Sequence, residues 1–243
     1  MKILEERGFV IPAFNTTEVD YEFCASKLKT SILKFHPNAH VTILTNKDLM
    51  HDKQVGYAND WQVYHLSPYR QTIKLEADML MASPCIHWFD MMQHRDVVVS
   101  TGARDFYGDK VTSRYYRKIF DDNHLPDVYN AVTYWRVSQT AKDFFKYVKD
   151  IFLNWQNYKT LLKFPETTPS TDVVYAIAAV LIGPEKCTMP FSSFPKIVHM
   201  KRYLNPINHN DWTKELVWEF DPLRIQTVAQ WGAFHYHSKS WLK

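Results

Sequence analysis

Apolar and polar positions alternate along the chain in two periods. Gly8 to Asn15 is apolar and β-branched until Pro12 stops it, and reads as a buried strand. Thr16 or Thr17 then supplies a helix cap, with Glu18 in the first turn. From Val19 to Phe35, Phe23, Leu28, Ile32, Leu33 and Phe35 recur at helical spacing, with Lys27, Lys29 and Lys34 in the later turns where the helix dipole favours cations. His36-Pro37-Asn38 ends that helix, and His40 to Asn46 is a second strand. Trp61 to Leu66 reads as a third strand, followed by a turn at Ser67-Pro68-Tyr69.

The segment Thr72 to Leu80 alternates, and from Met79 to Met81 the chain carries on apolar. Ile73, Leu75 and Ala77 take one face of a strand, and Glu76 and Asp78 take the other. A helix at Ile86 to Gln93 and a strand at Asp96 to Thr101 continue the series. Val128 to Trp135 is a further strand, and Thr140 to Trp155 an amphipathic helix burying Phe144, Phe145, Val148, Ile151 and Phe152. After a loop at Pro165 to Ser170, a helix capped by Ser170 or Thr171 runs from Asp172 to Leu181, apolar nearly all round and therefore buried. The proline- and histidine-bearing C-terminal part is expected to wrap the sheet as irregular structure. Strands alternating with helices predict an α/β fold, a mostly parallel central sheet covered on both faces.

Composition narrows this only a little. The 243 residues suffice for one domain with a full core, and 46% hydrophobic with 23% charged residues is ordinary for a water-soluble protein. A net charge of +3 tolerates an anionic partner without demanding one. Cys24, Cys85 and Cys187 are far apart and odd in number, which argues against a disulfide framework or a zinc knuckle and for a reducing compartment. The N-terminus lacks an apolar signal region and the longest apolar run, Val173 to Ile182, is too short to span a bilayer, so the expected location is the cytoplasm, away from membranes.

The acids carry the chemistry. Like charges this close raise each other's pKa unless a cation lies between them, and a hard divalent ion, Mg²⁺ or Mn²⁺, is the natural neutraliser. A solvated strand end is the plainer reading of the same triplet. With 6 glycines and no glycine-rich phosphate cradle, a nucleotide bound here would need a metal for its phosphates. Tyr69 and Arg70 lie just before the acid-bearing strand, placed either to meet a nucleotide or to make a turn. Arg104 follows a strand at the ligand edge of the sheet and would reach a phosphate. Arg114, Tyr115, Arg117 and Lys118 form a basic, aromatic stretch, either a solvated helix face or a contact for an anionic or ring-bearing acceptor.

The β-α-β start, the strand ending in Glu76-Ala77-Asp78, Tyr129-Asn130-Ala131, the helix-opening Thr171-Asp172 and the terminal His235-Tyr236-His237-Ser238-Lys239-Ser240-Trp241 together resemble the GT-A class of nucleotide-sugar glycosyltransferases, distantly of the family 8 type. The similarity covers about residues 8 to 183 and the last ten. It implies one GT-A-like domain over 1–243, with a nucleotide-binding half at 1–105 and an acceptor-binding half at 106–243 whose tail completes the metal site. It also implies a nucleotide-sugar donor, a UDP-sugar first among them, and a bound Mn²⁺ or Mg²⁺ held by Asp78, Glu76 and either His235 or His237. Lys239 would touch the diphosphate. Asn130 would hydrogen-bond donor or acceptor sugar, and Asp172 would touch the donor sugar or deprotonate the acceptor hydroxyl, though an acid opening a helix also serves its N-terminus.

Two departures stand out: the first acid is Glu where that class has Asp, and the terminal pattern is shortened. The wording of Ser67-Pro68-Tyr69, Lys74 to Met79 and Leu125 to Ala131 also looks like glycosyltransferase-like proteins of large tailed phages. That resemblance implies transfer of a glucose- or arabinose-like sugar to 5-hydroxymethylcytosine in double-stranded DNA. A transferase with a glycan or protein acceptor, a nucleic-acid-binding protein without catalysis and a degenerate transferase scaffold remain the alternatives.

Overall fold

The computed structural model describes residues 3–50, 56–102, 117–165, 167–189, 197–200, 204–206, 216–220, 225–229 and 232–236. Side chains are described in all of these except Gly56, Arg117 and the four segments between 197 and 229. In chain order the elements are β1 (Glu5–Ala13), α1 (Tyr21–Phe35), β2 (Val41–Thr45), a 3-10 helix (Gly56–Gln62) running into α2 (Val63–Leu66), β3 (Tyr69–Leu75), β4 (Met79–Met81), α3 (Trp88–Met92) and β5 (Val97–Thr101). There follow α4 (Arg117–Asp122), β6 (Val128–Arg136), α5 (Gln139–Leu153), α6 (Trp155–Leu162), α7 (Thr171–Ile182) and α8 (Pro184–Cys187). The remaining strands are β7 (Ile197–Met200), β8 (Leu204–Pro206), β9 (Leu216–Phe220), β10 (Ile225–Ala229) and β11 (Ala233–Tyr236).

A five-stranded sheet in the order β2-β1-β3-β6-β5 forms the middle layer. β1 pairs in parallel with both β2 and β3, and β6 runs antiparallel to its neighbours β3 and β5. The sheet is therefore mostly parallel, as the alternation predicts. One face packs Phe9, Ile11, Ile73 and Leu75 against Leu28 and Ile32 of α1 and Phe89 of α3. The other packs Val10, Val97, Val99 and Trp135 against Phe144, Phe145 and Val148 of α5 and Val173 and Val174 of α7. Every apolar side chain expected to be buried on α5 is buried.

Helix α1 begins later than expected. Its N-cap is Asp20, whose carboxylate accepts the Phe23 N–H at 3.0 Å, whereas Thr16 folds the preceding turn by accepting the Glu18 and Val19 N–H groups. An aspartate three residues before a helical N–H outcompetes a threonine already used in a turn. Ser170 caps α7 by accepting the Val173 N–H at 3.2 Å, and His36 ends α1.

Trp61 to Leu66 is a correction: the segment is helical, not a strand. Short apolar runs do not distinguish the two periods, and here Asn59 to Tyr64 are all buried within a helical segment. Gln62 is used inside, bonding Asn59 and the Met50 N–H, and Tyr64 stacks on Phe145 with ring centroids 5.1 Å apart.

The C-terminal region contributes short strands. β11 pairs antiparallel with β4 and parallel with β7, and β10-β9-β8 form a separate three-stranded sheet. None of the three cysteines is in a disulfide and all are buried, and burial pushes the Cys85 and Cys187 thiols up to about 12, which disfavours their thiolate forms.

Candidate metal and nucleotide site

β3 ends at Leu75, so Glu76 and Asp78 lie in the turn that joins it to β4. The alternation still decides where they point: Ile73, Leu75 and Ala77 go into the core, leaving the acids on the opposite side at the C-terminal edge of the sheet. Open α/β sheets bind ligands at this edge. The Glu76 N–H donates to the Ala131 carbonyl at 3.1 Å, which ties the turn to β6.

The third group comes from β11. Met79 lies opposite His235, and the Tyr236 N–H donates to the Asp78 carbonyl at 3.1 Å, so backbone pairing delivers the imidazole to the acids. His235 Nε2 is 3.1 Å from Asp78 Oδ1 and 3.4 Å from Glu76 Oε2. One ligand atom from each of the three lies within 4.8 Å of the others, and among the described residues this is the one such group of three. Asp78 and His235 are buried, while the Glu76 side chain keeps 29% of its surface open. Loss of hydration pushes the Glu76 carboxyl above its ordinary range; the Asp78 and Asp172 charges add to this, and His235 and Lys74 oppose it.

Two carboxylates and an imidazole at this spacing fit a divalent cation that takes oxygen and nitrogen ligands. The fit rests on the crowding of like charge, which one cation would relieve.

β6 carries a bulge beside this group. Thr101 of β5 pairs with Val128 and Val99 with Thr133, so residues 129–132 bow out of the ladder. Ser100 fills the gap, its hydroxyl donating to the Tyr129 carbonyl and accepting the Val132 N–H. Bulges re-aim side chains, and here Tyr129 reaches His235 Nδ1 while Asn130 turns towards α7.

A second polar cluster lies on the same face, further back along β3, since Lys74 precedes Glu76 by two residues. Lys74 Nζ donates to Asp60 Oδ2 at 2.6 Å, and the same oxygen accepts from Tyr175 and, at 3.3 Å, from Asn130 Nδ2. Thr133 donates to Asn130 Oδ1 at 2.7 Å. Asn130 has no exposed surface, so its amide serves this cluster. Asp172 is likewise buried, with Oδ1 accepting the Asn130 N–H at 2.7 Å, which joins the start of α7 to the bulge.

The structure thus brings Glu76, Asp78 and His235 together, with Asn130 and Asp172 just beneath. It does not bring Tyr69 or Arg70 there. They begin β3 at its far end, roughly 20 Å away by strand length. The Tyr69 ring packs where a Cβ on Gly8 would come within 2.4 Å of it, and its hydroxyl bonds Thr42. Arg70 pairs with Glu6 at 3.1 Å on the surface. Lys118 is exposed on α4, 4.0 Å from Asp122. Arg104, Arg114, Tyr115, His237 and Lys239 lie outside the described residues, as does the Arg117 side chain. Sequence reasoning passed over Asp60, Lys74, Tyr175 and the contact of Tyr129. Lys74 alone left a trace, a charged residue on an alternating strand.

No family model and no curated protein matches the chain. Solved structures do. A galactosyltransferase, LgtC, in complex with donor and acceptor sugar analogues is 12% identical, with 97% of this chain and 87% of that one covered and a TM-score of 0.50. An active-site mutant of LgtC is also 12% identical and covers 97% and 88% with the same score. The chain has a GT-A-type fold. Mouse xyloside xylosyltransferase 1, 7% identical over 76% of this chain and 84% of that one, scores 0.46. At such identities the likeness speaks for the fold, and the chemistry has to be argued from the residues. Among the described residues no helix is long and apolar enough to cross a membrane.

Proposed function

We propose that the protein is a metal-dependent glycosyltransferase that moves a sugar from a nucleotide-sugar, a UDP-sugar first among candidates, to an acceptor hydroxyl. The observation that carries this is the convergence of Glu76, Asp78 and His235 at the ligand edge of a GT-A-type sheet. These three would hold Mn²⁺ or Mg²⁺, and when bound the cation would offset the charge of the departing diphosphate. Asp78 and His235, largely shielded from water, set the position of the site, and Glu76 stands at its open side. Asp172 holds the β6 backbone at Asn130 and adds its negative charge to the field at Glu76. His237 remains the alternative imidazole and Lys239 the candidate diphosphate contact, on the strength of the terminal motif.

The acceptor we propose is 5-hydroxymethylcytosine in double-stranded DNA, with a glucose- or arabinose-like sugar transferred. Its support is the resemblance to phage glycosyltransferase-like proteins and the basic, aromatic run Arg114, Tyr115, Arg117 and Lys118. Thermal shift against a panel of nucleotide-sugars, with and without Mn²⁺, tests the donor half. A nucleotide that stabilises only with Mn²⁺ supports it, and no metal-dependent stabilisation by any nucleotide sinks it. Mass spectrometry of hydroxymethylated duplex DNA after incubation with the donor panel tests the acceptor. D78A should abolish both the Mn²⁺-dependent shift and transfer.

A further inference from the structure

We propose that Tyr129 is a positioning residue for the metal site, acting on His235 and through it on the cation. The inference rests on reading Glu76, Asp78 and His235 as metal ligands. Backbone pairing of β11 with β4 fixes where the His235 Cα sits, but an imidazole can still turn about two side-chain bonds. The Tyr129 hydroxyl bonds Nδ1, and in the resulting orientation Nε2 faces both carboxylates. Tyr129 is 3% exposed and sits in the core beneath the site, so it acts on the histidine and touches no substrate. It arrives there because of the β6 bulge.

A hydroxyl suits this place for a reason that a carboxylate or carbonyl partner does not share. A neutral imidazole carries one proton on either nitrogen. In the neutral ring that carries its proton on Nε2, 3.1 Å from Asp78 and 3.4 Å from Glu76, the phenol donates to Nδ1. For ligation Nε2 must present a lone pair, so the ring proton shifts to Nδ1 and the phenol rotates to accept it. In both neutral forms the ring holds one proton. Tyr129 can partner both tautomers because a hydroxyl both donates and accepts, and it adds no third negative charge to a crowded site.

Mn²⁺ alone is the probe, its free concentration followed by electron paramagnetic resonance in wild type, Y129F, H235A and Y129F/H235A. Y129F should weaken Mn²⁺ binding about 10-fold, the lower end of what outer partners of metal-bound histidines contribute. Y129F/H235A should bind no more weakly than H235A, because Tyr129 acts through the ring. Y129F within twofold of wild type, or losses that multiply in the double variant, overturns the proposal and leaves the metal site standing. If wild type binds no Mn²⁺, the metal reading fails and the proposal with it. Should Y129F not fold, nitrogen NMR of the His235 ring in wild type decides: with diamagnetic Zn²⁺ bound, the ring proton should sit on Nδ1. A ring that keeps Nε2–H with Zn²⁺ bound at the site refutes the proposal.

Discussion

The chain holds two polar clusters a few residues apart along β3, and they are built on opposite rules. Further back along the strand, Lys74 and Asp60 form a buried ion pair whose acceptor oxygen also takes Tyr175 and Asn130, so charge meets charge and donors meet acceptors. At the sheet edge, Glu76 and Asp78 face each other with one imidazole between them. The first cluster is complete in itself. Among the described residues the second sets two carboxylates against one imidazole, the arrangement the proposed cation would complete. An acidic pair is informative through what surrounds it, which explains why two carboxylates of similar burial, Asp60 and Asp78, take different parts.

Removing charge should therefore act oppositely in the two places. The largest effect is expected at the sealed cluster. K74M strands Asp60 in the core and should cost about 3–5 kcal/mol, a fall of roughly 10 °C in Tm for a domain of this size. Pairing it with D60L, so that both charges go, should restore much of that loss in a urea melt. Equal melts for K74M and wild type would break the comparison.

A smaller effect is expected at His36, whose Nε2 accepts the Cys85 N–H at 2.9 Å and the Ile86 N–H at 3.2 Å. Burial, and then the nearby His87, hold its pKa below the usual histidine value of 6.5. The unfolded chain takes up this proton more readily, so stability should be lost as pH falls below about 6.5 towards the folded value. H36A should remove this slope and cost about 1–2 kcal/mol near neutral pH through two unsatisfied N–H groups, as read by melts across pH.

The smallest stability change is expected at Glu76, with the opposite sign. Its carboxyl is raised above 4.5, so without metal the folded state holds the proton longer and stability should fall as pH rises from about 4.5 upward. E76Q should flatten that limb and melt no lower than wild type at neutral pH, yet lose the Mn²⁺-dependent shift. A clear loss of stability in metal-free E76Q would place Glu76 with the structural cluster.

Much of the edge site is legible in the residues, because two acids one residue apart at the end of an alternating strand are candidates for one side of the sheet, and the turn after Leu75 keeps them together. The sealed cluster is not legible. Asp60 reaches Lys74 only if residues 56–66 coil, and their apolar run reads equally well as a strand. Tyr129 escapes notice because its reach depends on three extra residues in β6, an irregularity that periodicity hides. Tyr69 and Arg70 mislead in the converse way: they precede the acids closely in sequence, but extended chain turns seven residues into the full height of the sheet. His235 is visible as a histidine near an aromatic end, while its partnership with β4 is a long-range pairing that no local pattern carries.

That pairing has a consequence for how the protein comes into being. The Gly232 N–H meets the Ser83 hydroxyl across 149 positions of chain, and the imidazole follows three residues later. On the ribosome both acids emerge and the sheet they border can assemble long before the strand bearing the imidazole exists. Any cation-dependent activity therefore waits on β11, because a chain without that strand lacks the imidazole that joins the two acids.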